Sequence, residues 1–363
     1  MGPDPAILPD ILQLTPNRVW RTYPGGRTLD QWQGEVQPVD SHFPEDWIAS
    51  LVRANNAGRE SMPDEGLSEV ELAGDRHFLR DLLVAKGGAS SSGPHACGTE
   101  AFDLPFLVKL LDSAVRLHVQ AHPTREFSRR HFGSRFGKTE AYVILETRPE
   151  VNRPYILFGF QQPPDRREYR RAILEQDTEA ILAPFVPVPV QPGDVFLVPG
   201  GVPHAIGEGV MMLEVNEPTD LVVRLEFERG GYILPEKARF MDRDVDFALD
   251  MLSFNRLSHD AIRDQYFGRP LAVRSSDGGV EYALVDQRLT DCFVVHRVVT
   301  DGRFRRPVRD FEVFLVVRGE GEAKGGGSSI QLQRGTRGIL APSAAEVEFV
   351  SDHEELEVLI VTR

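Results

Sequence analysis

Cysteine is scarce in this chain of 363 residues, where Cys97 and Cys292 stand far apart. They form neither a disulfide framework nor a CxxC motif, so a scaffold held together by disulfides is not expected. A run of about 18 apolar residues is also missing, which argues against a membrane-spanning helix. The start of the chain has no basic segment followed by an apolar one, so we expect no signal peptide and a cytoplasmic protein.

Basic residues are outnumbered, with 41 Lys and Arg against 55 Asp and Glu, and the formal net charge is −14. A nucleic-acid partner is disfavoured because phosphate backbones are bound by clustered Lys and Arg. An anionic small molecule is still possible, but it would need a locally positive pocket within this acidic protein.

Turn-forming residues are abundant, with 26 Pro and 32 Gly, and they favour short strands over a helical bundle. The pattern predicts strands at residues 140–147, 155–160, 186–190, 194–198, 210–216 and 221–227. Two segments have helical spacing, Leu67–Leu83 and Glu168–Phe185. This order predicts a mainly β fold, a jelly roll with helical insertions.

The length suits two or three domains. We expect a catalytic barrel with a helical insertion over residues 1–235 and a helical connector over 236–265. Short strands resume over 266–363 and indicate a second, degenerate C-terminal barrel. That segment has few His or Glu residues at spacings suited to a metal, so we interpret it as structural.

Polar residues occupy alternate positions in the segment Leu117–Pro123. Because alternate side chains of a strand share a face, His118, Gln120 and His122 would point the same way. A barrel interior is normally apolar, so three polar side chains on one face indicate a ligand cavity. Taken alone, each histidine could instead be a residue of the core or the surface whose hydrogen bonds are satisfied there, without any function.

The most specific pattern runs from Gly193 to His204, where Gly193, Pro199, Gly201 and His204 have the spacing of the second cupin motif. The glycines permit a sharp turn. Such a turn would deliver His204 onto the next strand with its side chain facing inward.

Two other strands carry charged residues that could reach the same cavity. Lys138 and Glu140 alternate along one of them, and an exposed Lys–Glu edge is their structural explanation. Glu214 lies on the other, and Arg224 lies on the strand that follows. A buried ion pair between Glu214 and Arg224 would account for these two without any function.

Four of these residues, Gln120, His122, Glu140 and His204, offer two imidazoles, a carboxylate and an amide oxygen. This donor set suits a borderline divalent ion such as Zn²⁺. We expect one such ion per chain, zinc or another divalent metal, which could polarise and orient a carbonyl or hydroxyl group.

These pieces resemble type I mannose-6-phosphate isomerases, a family of the cupin superfamily. The resemblance rests on Gln120–Pro123, Gly137–Glu140, Pro199–His204 and Glu214-Val215 with Asp220 and Arg224. It implies two cupin barrels, a zinc ion held by the four ligands, and a sugar pocket lined by Lys138 and Arg224. It also implies a sugar or sugar phosphate as the substrate.

The implied reaction interconverts mannose 6-phosphate and fructose 6-phosphate, or a related aldose–ketose pair, through an enediol. It needs a base that moves a proton between C1 and C2 and a group that stabilises the developing oxyanion. Lys138 or Arg224, with the metal, could do the second. The base stays open between Glu214, which the resemblance places near the reacting carbons, His118, and a Lys138 whose pKa is lowered by desolvation.

The chain departs from the family at His118, Asn216-Glu217 and Val222-Val223, where Ser, Gln-Gln and Thr-Tyr are usual. The metal ligands are unaffected, so the departures concern the substrate. We place His118 at the substrate, which could be a different sugar pair or a sugar without phosphate. A non-catalytic sugar-binding cupin and an Fe-dependent cupin oxygenase are the alternatives.

We predict that residues 266–363 bind no metal, because His296 and His353 lie far apart and lack the cupin spacing. Elemental analysis should therefore find the same metal content in the wild type and in His296→Ala. A second metal equivalent that disappears in His296→Ala would contradict this prediction.

Overall fold

The computed structural model describes residues 9–72, 74–87 and 104–363, and Cys97 lies outside them. Strands dominate, and they form the two-barrel cupin fold that the sequence predicts. No helix in these ranges has the length and apolar content that crossing a bilayer requires.

The strands before residue 236 are β1 (Ile11–Gln13), β2 (Arg18–Val19), β3 (Glu45–Ile48), β4 (Glu69–Leu72), β5 (Asp75–Phe78), β6 (Leu107–Asp112), β7 (Gln120–Ala121), β8 (Glu140–Thr147), β9 (Tyr155–Phe158), β10 (Val188–Pro189), β11 (Val195–Val198), β12 (His204–Ile206), β13 (Val210–Asn216), β14 (Val223–Arg224), β15 (Glu228–Arg229) and β16 (Tyr232–Ile233). The later strands are β17 (Leu271–Ser276), β18 (Gly279–Val285), β19 (Val294–Thr300), β20 (Arg303–Pro307), β21 (Glu312–Arg318), β22 (Glu320–Gly325), β23 (Ser328–Gln333), β24 (Arg337–Leu340), β25 (Glu346–Ser351) and β26 (Leu356–Thr362). The helices are α1 (Arg27–Trp32), α2 (Leu79–Gly87), α3 (Arg125–Phe132), α4 (Arg166–Glu175), α5 (Thr178–Leu182), α6 (Glu236–Arg239), α7 (Val245–Met251) and α8 (His259–Gln265).

Two facing sheets form the first barrel. One has the strand order β11-β8-β13-β6-β3-β2, and the other has the order β10-β9-β12-β7-β14. Strand β8 shows why the segment folds this way, since Tyr142 and Ile144 pack between the two sheets whereas Ala141 and Val143 pack on the outer side. Both faces of β8 are therefore buried, as its continuous apolar sequence requires.

The second barrel packs against the outer side of the first sheet. Its larger sheet has the order β1-β24-β21-β26-β19-β18-β17, and its smaller sheet has the order β20-β25-β22-β23. One apolar cluster joins the barrels, in which Val143 and Leu213 of the first pack with Leu315 and Val361 of the second. A separate cluster around Phe314 fills the second barrel.

Helices cover the outer face of the smaller sheet of the first barrel. Tyr169, Ala172 and Ile173 on α4 and Leu249 on α7 pack on Leu157 of β9. Helix α4 begins at Asp165, whose side chain accepts hydrogen bonds from two main-chain N–H groups of the first turn.

Two helix predictions need correction. The segment Leu67–Leu83 is helical only from Leu79, because Gly74, at a φ of 89°, turns β4 back onto β5. The predicted helix Glu168–Phe185 is two helices, since Gln176 adopts a left-handed conformation at a φ of 55° and ends α4.

The first strand of the chain belongs to the C-terminal sheet. Strand β1 pairs antiparallel with β24, with Ile11 opposite Leu340. The division into residues 1–235, 236–265 and 266–363 stays a prediction, and β1 would have to be counted with its last part.

Candidate metal centre and active site

The predicted metal ligands come from both sheets of the first barrel, and His122 lies just after β7. Gln120 and His204 are paired across β7 and β12, and Glu140 is the first residue of β8. Gly201, at a φ of 86°, turns the chain so that His204 enters β12. The N–H of Gly201 also donates to the main-chain oxygen of His122 at 2.7 Å, which ties this turn to the other histidine.

His122, Glu140 and His204 are buried together, and their ligand atoms all lie within 4.8 Å of one another. The Glu140 carboxylate stands between the two rings, with Oε1 at 3.0 Å from His122 Nε2 and Oε2 at 3.5 Å from His204 Nε2. Within the described ranges, no other group of three His, Cys, Asp or Glu residues meets this criterion.

Both histidines present a lone pair toward Glu140. His122 Nδ1 lies 2.8 Å from the main-chain oxygen of Leu221, and His204 Nδ1 lies 2.8 Å from that of Val202. A carbonyl oxygen only accepts, so each Nδ1 carries the hydrogen and each Nε2 is unprotonated. Burial favours the neutral rings, lowering the pKa of His122 to about 3 and lowering that of His204 as well.

Glu140 is an anion inside the barrel. Burial alone would raise its pKa, but the charge of Lys138 holds the pKa well below its usual value. Lys138 Nζ lies 3.1 Å from Glu140 Oε1 and 3.4 Å from His122 Nε2, and the Tyr142 hydroxyl donates to Glu140 Oε2 at 2.6 Å. The ammonium group of Lys138 therefore lies next to the same atoms that would bind a metal cation.

Gln120 completes the predicted set. Its side-chain nitrogen lies 3.4 Å from His204 Nε2, at the edge of the group. Turning the carboxamide end to end would place its oxygen at this position and provide a fourth donor. Two neutral imidazole nitrogens, a carboxylate and an amide fit a divalent ion of the zinc type, so the residues present suit a metal.

A small pocket of about 30 Å³ opens beside this group and contains every predicted substrate or catalytic residue. Lys138, Glu214, Arg224 and His118 all line it, together with Gln120. The pocket therefore brings together side chains that lie more than 100 positions apart in the sequence.

The predicted alternative of a Glu214–Arg224 ion pair is wrong. Glu214 instead accepts from Lys109 Nζ at 2.7 Å, and Arg224 Nη1 donates to the main-chain oxygen of Ala238 at 3.2 Å. Glu226 is likewise engaged elsewhere, by the guanidinium of Arg116. Burial and repulsion from neighbouring Arg21 lower the pKa of Arg224 to about 10.

Glu214 is poised near neutral pH. Burial and the charge of Glu140 raise its pKa to about 7, against the opposing charge of Lys109. Burial alone would lower the pKa of Lys109, but Glu214 and Glu45 raise it, so the lysine stays charged. The pair thus holds a carboxylate close to its titration point within the pocket.

Sequence reasoning assigned no role to the charged residues on the far wall of the pocket, although Asp220 belongs to one of the motifs. Arg21 makes two bonds to Asp220, at 2.7 and 3.0 Å, and a third contact of 3.0 Å to Glu45. Glu45 also accepts from Tyr23 and from the indole of Trp47. Burial alone would raise the pKa of Glu45, yet the nearby positive charges lower it to about 2.

Lys109 was the one missed residue that the sequence marks. It is a charged residue within the apolar strand β6, and it is fully buried. A lysine at such a position needs a buried partner, which is a reason to look for a site.

A larger cavity lies elsewhere. It measures about 910 Å³ and runs between the two barrels, past Trp32, Arg297 and Arg334. None of the predicted site residues lines it, so its size does not make it the candidate active site.

Comparisons with known proteins bear on the fold. The solved structure of mannose 6-phosphate isomerase from Bacillus subtilis superposes with a TM-score of 0.70 over 97% of this chain and 99% of that one, at 18% identity. The chain has the fold of the mannose-6-phosphate isomerases. A mannose 6-phosphate isomerase solved with zinc and yttrium also matches, with a TM-score of 0.66 over 98% of this chain and 100% of that one, at 15% identity.

Sequence similarity to mannose-6-phosphate isomerases is partial. The enzyme from Streptococcus mutans is 32% identical over 143 residues, which are 39% of this chain and 43% of that protein. The aligned part thus spans less than half of the relative's length. No family profile matches the chain. The resemblance predicted from the four motifs is confirmed by these relatives.

His118, where mannose-6-phosphate isomerases usually have Ser, faces the pocket in a fixed orientation. Its Nδ1 donates to the main-chain oxygen of Glu226 at 2.9 Å, which leaves Nε2 as an acceptor 3.5 Å from the hydroxyl of Thr22. Burial and the charge of Arg224 lower the pKa of His118 to about 3. The ring is therefore neutral at physiological pH.

We expect His204→Ala to abolish metal binding, because the group loses one of its two imidazole nitrogens. Metal content should be measured by elemental analysis after loading with zinc and removal of free ion. His353→Ala is the matched control, since that histidine is exposed and far from the group, and it should keep the metal. Wild-type metal content in His204→Ala would show that the ligand assignment is wrong.

Proposed function

We propose that the chain is a metal-dependent aldose–ketose isomerase that interconverts mannose 6-phosphate and fructose 6-phosphate or a related sugar pair. The observation that carries the proposal is the buried group of His122, Glu140 and His204 beside a pocket containing a carboxylate near its titration point. The relatives named mannose-6-phosphate isomerase support the reaction class. The cytoplasmic location and the absence of a nucleic-acid partner stay predictions.

Gln120, His122, Glu140 and His204 would hold one zinc ion per chain, or another divalent metal in its place. When bound, such an ion would polarise and orient substrate oxygens. Zinc is preferred because nitrogen and carboxylate donors suit it, and because a structural neighbour is described with zinc.

Glu214 is our proposed base, and its pKa supports the choice. Isomerisation moves a proton between two adjacent carbons, and the best group has a pKa near the working pH, so that it can both accept and return that proton. The pKa of Glu214 is raised to about 7, whereas that of His118 is lowered to about 3, which makes His118 the weaker base. Lys109, held at 2.7 Å, keeps Glu214 in place.

Lys138, Arg224 and His118 would bind the substrate. Lys138 and Arg224 supply N–H donors to negatively charged oxygens, either the developing enediolate or a phosphate group. The neutral Nε2 of His118 would accept a hydrogen bond from a sugar hydroxyl.

Charge balance in the pocket supports an anionic substrate. Four cationic and four carboxylate side chains surround it, namely Arg21, Lys109, Lys138, Arg224, Glu45, Glu140, Glu214 and Asp220. These charges offset one another, so a bound divalent ion would leave the site positive. A phosphate carries close to two negative charges at neutral pH and would restore the balance.

Substrate binding requires the pocket to widen. Its volume of about 30 Å³ has room for one or two water molecules, far less than the several hundred Å³ of ordinary ligand sites. Arg224 is the long lining side chain held by a main-chain oxygen rather than by a carboxylate, so it can turn toward a substrate anion at small cost.

The donor set also fits a second reaction class. Two histidines and one carboxylate are the ligands of many Fe(II) oxygenases. Bound iron with oxygen consumption would favour that class, and sugar binding without turnover would favour a non-catalytic cupin. The base and cations of the pocket are unexplained by either alternative, which is why we prefer the isomerase.

The direct test is an assay of the zinc-loaded protein with mannose 6-phosphate, followed by other aldoses and ketoses with and without phosphate. We expect isomerisation of at least one sugar phosphate, abolished by Glu214→Gln. Absence of turnover on every pair, in protein shown to contain one metal equivalent, would contradict the proposed function.

We predict that Arg224→Ala raises KM for a sugar phosphate at least about tenfold and changes activity on the free sugar much less. A charge-assisted bond contributes about 1.5–3 kcal/mol, and about 1.4 kcal/mol corresponds to a factor of ten. Arg170→Ala is the control, since Arg170 pairs with Asp246 on the exposed face of α4. Equal losses on phosphorylated and free sugars would rule out the phosphate role.

A further inference from the structure

Glu217 follows β13 and is almost fully buried, although it lines no part of the pocket. Its two carboxylate oxygens accept from two different segments of the chain. Oε2 accepts from the main-chain N–H of Thr139 at 3.0 Å, and Oε1 accepts from Arg125 Nε at 2.5 Å. One side chain therefore joins three segments.

Two of these segments carry proposed metal ligands. Thr139 directly precedes Glu140, and Arg125 lies three residues after His122. The main chain strengthens the first link, since the N–H of Glu217 donates to the oxygen of Thr139 at 3.1 Å. A shift of Glu217 would move the backbone on both sides of the His122–Glu140 contact.

Arg125 also contacts the second barrel at its outer end. Its Nη1 lies 2.9 Å from a carboxylate oxygen of Asp291, and its Nη2 lies 3.1 Å from Cys292 Sγ. Both partners precede β19 of the second barrel. Asp291 is exposed, so this outer ion pair contributes little, and the buried Glu217 is the partner that orients the guanidinium.

The loop between His122 and Arg125 has no slack to absorb such a shift. A side-chain carbon at Gly137 would come within 2.7 Å of Pro123 O, and one at Gly200 would come within 2.6 Å of the same atom. Backbone from the Lys138 segment and from the His204 turn therefore presses on this loop from two directions.

We propose that Glu217 and Arg125 are positioning residues that set the separation of His122 and Glu140 and so tune metal affinity. The inference rests on the proposed metal site. A carboxylate is required here because both of its neighbours are donors, and an amide could accept from only one of them.

The test compares Glu217→Gln, Arg125→Lys and Asp291→Asn with the wild type. Affinity for Zn²⁺ is measured by competition with a chelator, and the visible absorption of bound Co²⁺ reports the ligand geometry. We expect Glu217→Gln to weaken Zn²⁺ binding about tenfold and to change the Co²⁺ spectrum, as outer-sphere substitutions do. Arg125→Lys should weaken binding in the same direction, because a lysine keeps the charge but loses the fork.

Asp291→Asn is the matched control. It alters the exposed partner of the same arginine without touching a ligand-bearing segment, so both readouts should match the wild type. Unchanged Zn²⁺ affinity in Glu217→Gln, with only a lower melting temperature, would overturn the proposal. Equal weakening by Glu217→Gln and Asp291→Asn would also overturn it, because the effect would then be one of charge alone.

If Glu217→Gln does not fold, Arg125→Lys still tests the proposal. Unchanged Zn²⁺ affinity and an unchanged Co²⁺ spectrum in Arg125→Lys would contradict it. The wild type separates this inference from the proposed function. A wild type that binds no metal would defeat the metal site itself, whereas a metal-binding, active wild type with unaffected variants would defeat the positioning role alone.

Discussion

The Glu140 carboxylate lies inside a β barrel, with about 1% of its surface exposed. Removing such an anion from water costs several kcal/mol unless nearby groups compensate it. The compensation here comes from Lys138 and from the Tyr142 hydroxyl, whereas the two neutral imidazoles turn lone pairs toward the carboxylate, so a cation would be stabilised there. The arrangement of β8, the Gly201 turn and the His122 loop can be understood as the means of bringing those groups to one buried anion.

The same physical demand extends to the pocket wall. Each buried charge there faces an opposite one: Arg21 faces Asp220 and Glu45, and Lys109 faces Glu214. Arg224 is the exception, since it is bound by a carbonyl oxygen within the described contacts. A cation held only by a dipole is the group in this pocket that gains most from an incoming anion.

The sequence predicted the meeting of His122, Glu140 and His204 better than it predicted the wall of the pocket. The spacing from Gly193 to His204 and the alternation at Gln120 and His122 depend on local chain geometry, which one segment determines by itself. Lys109 was missed because its role depends on register: it lies directly opposite Glu214 across β6 and β13, more than 100 residues away. Alternation along one strand cannot reveal which residue of another strand stands opposite.

The helical predictions show the same limit at shorter range. Residues 67–83 have apolar positions compatible with a helix, yet the left-handed turn at Gly74 divides them into a hairpin and a helix. Strand pairing between β4 and β5 competed with helical spacing and prevailed over the first half. Strands β8 and β13 were predicted with their observed bounds because their apolar runs are buried on both faces and end at clear turn residues.

Strand β1 has a consequence for how the chain acquires its structure. It is synthesised first but covers the edge of β24, which is synthesised more than 320 residues later. The larger sheet of the second barrel therefore gains this edge strand only when the two ends of the chain meet, a contact of very high sequence separation and hence slow to form. Without β1, this edge of β24 would present unpaired N–H and C=O groups, which is the kind of sheet edge that recruits strands from other molecules.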